Sequence, residues 1–206
     1  MNRPVMSLGK YGRLFTVIAA AALLTAGCAQ EPSAPPPLAG ATIGGPFELI
    51  DQNGETVRWS DFDGRYRIVY FGYAYCPDVC PFDVQRMMLG YNRFAGAAPE
   101  LAAQIQPIFI TVDPERDTPE VVGKFTHNFS DDLIGLTGTP EQIDAAAKAF
   151  AIYYEKGEPN EAGGYLVDHS RAAYLFGLDG QPIALLPVEV ADQGEAVAAE
   201  LEKWVQ

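Results

Sequence analysis

The sequence is sparing with the side chains that chemistry relies on. Its 206 residues include three cysteines and two histidines. A zinc finger array or a disulfide-dense scaffold is therefore excluded. Basic residues are also few, 14 against 27 acidic ones, for a formal net charge of −13. A chain this acidic is a poor partner for nucleic acid phosphates. No internal repeat is visible. Aromatic side chains are not scarce: ten Tyr, eleven Phe and two Trp give material for a core and argue against disorder. The length suits one domain.

The N-terminus reads as a leader rather than as part of the fold. Arg3, Lys10 and Arg13 precede an apolar run over residues 14–24, which is of signal-peptide length and short for a bilayer span. Thr25-Ala26-Gly27-Cys28 follows and resembles a bacterial lipoprotein cleavage box, with Thr25 where that box usually carries Leu. The expectation is a signal peptide over residues 1–27 and lipidation of Cys28. Simple secretion and an uncleaved anchor are the alternatives. Cleavage before Cys28 leaves 11 of the 14 basic residues against all 27 acidic ones, a formal −16. Residues 28–42 carry Pro32, Pro35, Pro36 and Pro37 and read as a flexible tether. The folded domain is expected over residues 43–206.

Within that domain, residues 47–51 and 56–59 flank Asn53-Gly54, a hairpin signal. Strands are expected over residues 67–73, 105–112 and 133–136, and short extended pieces over 166–169, 172–177 and 183–186. Helices are expected over 82–94, from Thr118-Pro119, from Thr139-Pro140 to about Phe150, and over 189–205. Residues 153–165 are polar and glycine-bearing and carry no element signal. The order is that of an α/β protein. A thiol motif after the first central strand makes it a thioredoxin-like fold with an N-terminal β-hairpin and an inserted hairpin near the C-terminus.

The chemistry concentrates after the 67–73 strand, in Cys76-Pro77-Asp78-Val79-Cys80-Pro81. Proline inside a helix removes a donor and clashes one turn back. Both cysteines are therefore expected in a turn, with Pro81 opening the helix and Cys80 near its N-cap, where thiol pKa values fall. The pair could be a permanent disulfide, a redox couple, or two ligands to one soft metal. A disulfide closing so short a loop adds little chain-entropy stabilisation. Thioredoxin-type enzymes use two intervening residues, and here there are three. His127 reads as a surface residue. His169 ends a strand, and a soft dithiol in the same small domain makes it a candidate ligand. Two thiolates and an imidazole suit Cu(I), and an added oxygen donor suits Cu(II). Zinc wants a fourth ligand, and none is obvious. Asp78 is either that oxygen or a helix-start acid.

Residues 70–81, 111–119 (Thr-Val-Asp-Pro-Glu-Arg-Asp-Thr-Pro) and Val167-Asp168-His169-Ser170 together resemble the Sco/SenC family. Leu136-Thr137-Gly138 and Tyr174-Leu175-Phe176 add to the match, which spans residues 43–206 in order. The resemblance implies a thioredoxin-like copper metallochaperone that serves the dinuclear copper centre of cytochrome c oxidase, with Cys76, Cys80 and His169 as ligands. It equally implies a thiol-disulfide protein in which Cys76 and Cys80 are a redox-active pair. Expected partners are the copper-bearing oxidase subunit, another periplasmic copper chaperone as donor, and the membrane through a lipid anchor. The expected location is the bacterial cell envelope, with the domain on the periplasmic side. A peroxiredoxin-like peroxidase would need a Thr/Arg pocket around one cysteine, and no such pattern surrounds Cys76. The 113–117 stretch reads as a structural loop, with Asp117 or Thr118 capping a helix and Arg116 paired to nearby acids. A docking face is the alternative.

Overall fold

The computed structural model describes residues 34–160 and 163–206. The expected leader, its cleavage box and Cys28 lie outside them. Residues Pro35–Gln206 form one unit. The end of the expected tether turns over the domain edge. The Leu38 amide donates to the Ile183 carbonyl (3.0 Å), and the Leu38 side chain packs against the core.

The first strands are β1 (Glu48–Asp51) and β2 (Thr56–Arg58), paired antiparallel across the Asn53-Gly54 turn. A 3-10 turn at Trp59–Phe62 follows and buries Phe62. Then β3 (Tyr66–Gly72), α1 (Val79–Ala97), a short α2 (Pro99–Ala102) and β4 (Ile105–Thr111) form a parallel unit. All seven positions of β3 and of β4 are buried. Their mostly apolar and aromatic character, broken by Arg67, Gln106 and Thr111, follows from being covered on both faces.

Next come α3 (Pro119–His127), β5 (Ile134–Thr137) and α4 (Pro140–Ala149). Both helices start as their sequences predict. Thr118 and Thr139 accept from the Val121 and Gln142 amides, with proline at the first helical position. Gln142 reaches back to the Thr139 amide at 2.8 Å and completes a capping box.

The remaining elements are β6 (Tyr154–Lys156), β7 (Val167–His169), β8 (Ala173–Phe176), β9 (Pro182–Leu186) and α5 (Glu195–Trp204). The main sheet runs β2-β1-β5-β4-β3-β8-β9, with β3, β4 and β5 parallel and β8 antiparallel to β3. A β-α-β half joined to a β-β-α half is the thioredoxin-like arrangement. It puts the C-terminal end of β3 and the N-terminus of α1 together, where a ligand site is favoured.

Two elements depart from expectation. The polar 153–165 stretch does contain a strand: β6 pairs with β7 as a separate two-stranded ribbon, Tyr154 opposite His169. Three residues of half-exposed ribbon carry no apolar periodicity to read. The last helix begins at Glu195, six residues late. Pro187 and two left-handed residues, Gln193 and Gly194, hold the preceding chain in turns. Asp192 stops those turns by accepting from the Gly194 (3.0 Å) and Ala196 (2.8 Å) amides.

Candidate metal centre

The structure corrects the expected placement of the cysteines. α1 opens at Val79, so Cys80 is its second residue and Pro81 its third, while Cys76 alone lies in the turn. Proline is tolerated there because the first turn's N–H groups have no helical partners to lose. Cys76 is anchored by its amide to the Tyr73 carbonyl (3.2 Å). Its sulfur accepts from the Cys80 amide at 3.4 Å. Cys80 is fully buried and Cys76 partly exposed, and neither is in a disulfide. Gly72 makes room for Cys80, since a Cβ there would lie 3.1 Å from its Sγ and 2.9 Å from the Tyr70 ring.

His169, 89 residues downstream of Cys80, arrives on the end of β7. Its Nε2 stands 3.0 Å from Cys80 Sγ. Its Nδ1 lies 2.9 Å from the Ser170 carbonyl oxygen, which can only accept. Nδ1 therefore carries the proton, and the Nε2 lone pair faces the thiols. The rings of Tyr70 and Tyr73 meet the imidazole edge-on, at 6.3 and 5.9 Å. The ligand atoms of Cys76, Cys80 and His169 all lie within 4.8 Å of one another.

The thiols share one proton unequally. The hydrogen bond from the Cys80 thiol, with those from the Cys80 and Asp78 amides, holds Cys76 well below the usual thiol range, against the opposing effect of burial. The hydrogen bond to Cys76 and burial push Cys80 up. Burial pushes the Tyr73 hydroxyl up to about 12. Asp78 stands at the N-cap of α1 without a capping hydrogen bond and is not one of the three clustered ligand residues. His127 is three-quarters exposed and pairs with Asp131 at 2.6 Å, a surface role as expected.

The 113–117 loop turns out to brace the site. Thr118 caps α3, and Arg116 pairs with Asp113 at 2.5 Å. Asp117 does not cap. Its buried Oδ2 accepts from the Ala74 amide (2.8 Å) and the Thr111 hydroxyl (2.6 Å), fixing the turn that leads to Cys76. On its other side the loop grips Tyr165, ahead of β7. The Tyr165 hydroxyl donates to Asp113 (2.7 Å), Arg116 donates to the Tyr165 carbonyl (2.9 Å), and the guanidinium lies 3.6 Å over the ring. Tyr73 adds a third tie by accepting from the Val167 amide (3.3 Å). Sequence reasoning had no means to see these contacts, which join residues up to 94 positions apart.

Comparison with known proteins agrees with this geometry. The profile of the SCO1/SenC family matches residues 36–206. The SCO1 homolog of mouse mitochondria is 42% identical over 139 residues, 68% of this chain and 48% of its own length. SenC of Rhodobacter capsulatus is 49% identical over 138 residues, 67% of this chain and 60% of its own. The alignment thus spans about half the length of the mammalian relatives it matches. Among solved structures, Bradyrhizobium japonicum ScoI with copper bound superposes with a TM-score of 0.70 at 34% identity, covering 79% of this chain and 99% of that one. On the family match over residues 36–206, with the Cys76, Cys80 and His169 cluster in place, the chain belongs to the SCO1/SenC family.

Proposed function

We propose that the chain binds copper through Cys76 Sγ, Cys80 Sγ and His169 Nε2 and hands it to the dinuclear copper centre of cytochrome c oxidase. The observation that carries this is the convergence of two unpaired thiols and one correctly oriented imidazole nitrogen within 4.8 Å. Two sulfurs and one nitrogen form a soft donor set that fits copper better than a hard cation. A thiolate at Cys76 and an amide-rich helix start offer a cation a ready ligand, and Cys80 would release its proton on binding. Partial exposure of Cys76 lets an incoming ligand reach the ion for exchange.

The working location is the bacterial envelope, with Cys28 lipidated and the domain on the periplasmic side. The partners are a copper-bearing oxidase subunit and an upstream copper chaperone. Among the described residues no helix is long and apolar enough to cross a membrane, so attachment falls to the leader or its lipid.

The test is titration of the reduced protein with Cu(I) and with Cu(II). One ion per chain is expected, with large losses of affinity in Cys80→Ser and His169→Ala. Unchanged tight one-to-one binding in either variant would falsify the assignment.

A second reading has its own support in the asymmetry of the thiols. A reachable Cys76 thiolate beside a buried Cys80 thiol is the arrangement of a thiol-disulfide reductase. Cys76 would attack an oxidised partner's disulfide and form a mixed disulfide. Cys80, losing its proton, would then displace the partner as a dithiol, leaving Cys76–Cys80 oxidised by the same two electrons. His169 is dispensable for this exchange. Reduction of an oxidised partner peptide by His169→Ala at the wild-type rate is the expected signature.

A further inference from the structure

Behind the candidate centre lies an ion pair, its carboxylate buried and its guanidinium half-exposed, that the copper reading does not use. Asp83 is one turn along α1 from Cys80, and its side chain is fully buried. Arg171 is two residues beyond His169. Its Nε and Nη2 donate to Asp83 Oδ2 and Oδ1 at 2.8 and 2.6 Å, a bidentate pair spanning 88 residues of sequence. Tyr70 on β3 donates to the same Oδ2 at 3.0 Å, and the Tyr70 ring abuts the His169 imidazole. Arg86 stands 3.6 Å from Oδ1 and supplies a second, weaker charge contact.

We infer that Asp83 and Arg171 are positioning residues that hold His169 at its distance from Cys80. The inference rests on the copper reading of the centre but adds residues to it. Cys80 and Asp83 share one helix face at i, i+3. His169 and Arg171 share the short segment that enters β8. The pair therefore pins the segment bearing the imidazole to the helix bearing the buried sulfur. The ribbon β6–β7 cannot do this alone. It has two three-residue strands, and its other ties run to the 113–117 loop and to Tyr73. Nor can the Ser170 carbonyl, which orients the imidazole but moves with it. Polar partners behind a ligand histidine commonly matter tenfold or more to metal affinity.

The test compares wild type, Arg171→Ala, Arg171→Lys, His169→Ala and the double variant His169→Ala/Arg171→Ala by Cu(II) titration of the reduced full chain. Arg171→Ala should weaken binding by about tenfold, with partial rescue in Arg171→Lys, which keeps the charge but not the fork. In the His169→Ala background the same substitution should cost nothing further, because its effect passes through the imidazole. An equal loss in both backgrounds, or none in either, overturns the inference. Failure of His169→Ala itself to weaken binding would count against the copper reading instead. A metal-free measurement then decides the positioning role by itself. Nitrogen-15 NMR of the reduced apoprotein should show the Nδ1–H tautomer, which the Ser170 carbonyl fixes, in both proteins, but a His169 Nε2 resonance displaced in Arg171→Ala as the imidazole leaves Cys80. Identical imidazole spectra overturn the inference whatever copper does.

Discussion

At the scale of single residues, Cys76 and Cys80 are chemically unlike although their sequence setting is nearly symmetrical. Each is followed by proline. Burial and the direction of their shared hydrogen bond separate them. A thiol alkylates as its thiolate, so a residue held below the usual range stays reactive as pH falls through the ordinary thiol pKa of about 8.5. The Cys76 alkylation rate in the metal-free reduced protein should thus be nearly flat from about pH 8 to pH 5, whereas a free thiol slows about tenfold per pH unit. Cys80 should not be labelled until the protein unfolds. Mass spectrometry of the two cysteine peptides reads both, and a Cys76 rate falling tenfold per unit would contradict the assigned thiolate. The types and spacing of the cysteines and of His169 were legible in the sequence. Their inequality was not, because it depends on which sulfur the fold covers.

At the scale of elements, the centre is assembled from the turn after β3, the first turn of α1 and the end of β7. The 113–117 loop connects them. Burial raises the Asp117 carboxyl, and hydrogen bonds from Thr111 and Ala74 partly offset that. Replacing it with alanine leaves the Ala74 amide and the Thr111 hydroxyl without their acceptor, at a cost of about 2 kcal/mol. Asp117→Ala should lower the unfolding midpoint in denaturant accordingly and weaken copper binding by loosening the Cys76 turn. Asp117→Asn should keep most of both, since its carbonyl can accept the same two bonds and its amide can replace Oδ1, which has no partner now. A full alanine-like loss in the asparagine variant would show that the charge, not the acceptor, is what the turn needs. The sequence displayed this loop as a motif without a task. It could predict the Thr118 cap because capping is local, but not the brace on Ala74, which is 43 positions away.

At the scale of the whole molecule, the sheet holds β3 in its interior, between β4 and β8, with the ligands at one of its ends, so binding there cross-links both halves of the fold. Copper should therefore stabilise the native state by mass action. Free metal at a hundredfold over Kd adds about 2.7 kcal/mol, or roughly 5–10 °C in melting temperature for a domain of this size. Calorimetry of the reduced protein with and without Cu(I) checks this. The oxidised protein, its thiols consumed, should show no shift. A shift of equal size in oxidised protein would place the metal elsewhere.

The sequence alone determined much of this protein. Amphipathic and buried runs, Thr-Pro helix starts and the Asn-Gly turn are short-range signals, and they placed most elements of the main sheet. Residue chemistry selected Cys76, Cys80 and His169 from a chain with few alternatives. The tertiary structure decided what depends on distant chain meeting: the β6–β7 ribbon that delivers His169, the unequal thiols, and the Asp83–Arg171 pair behind them. In sequence Asp83 and Arg171 look like ordinary surface charges. Only the packing of α1 against the segment after β7 buries the carboxylate and forces it to find its partner.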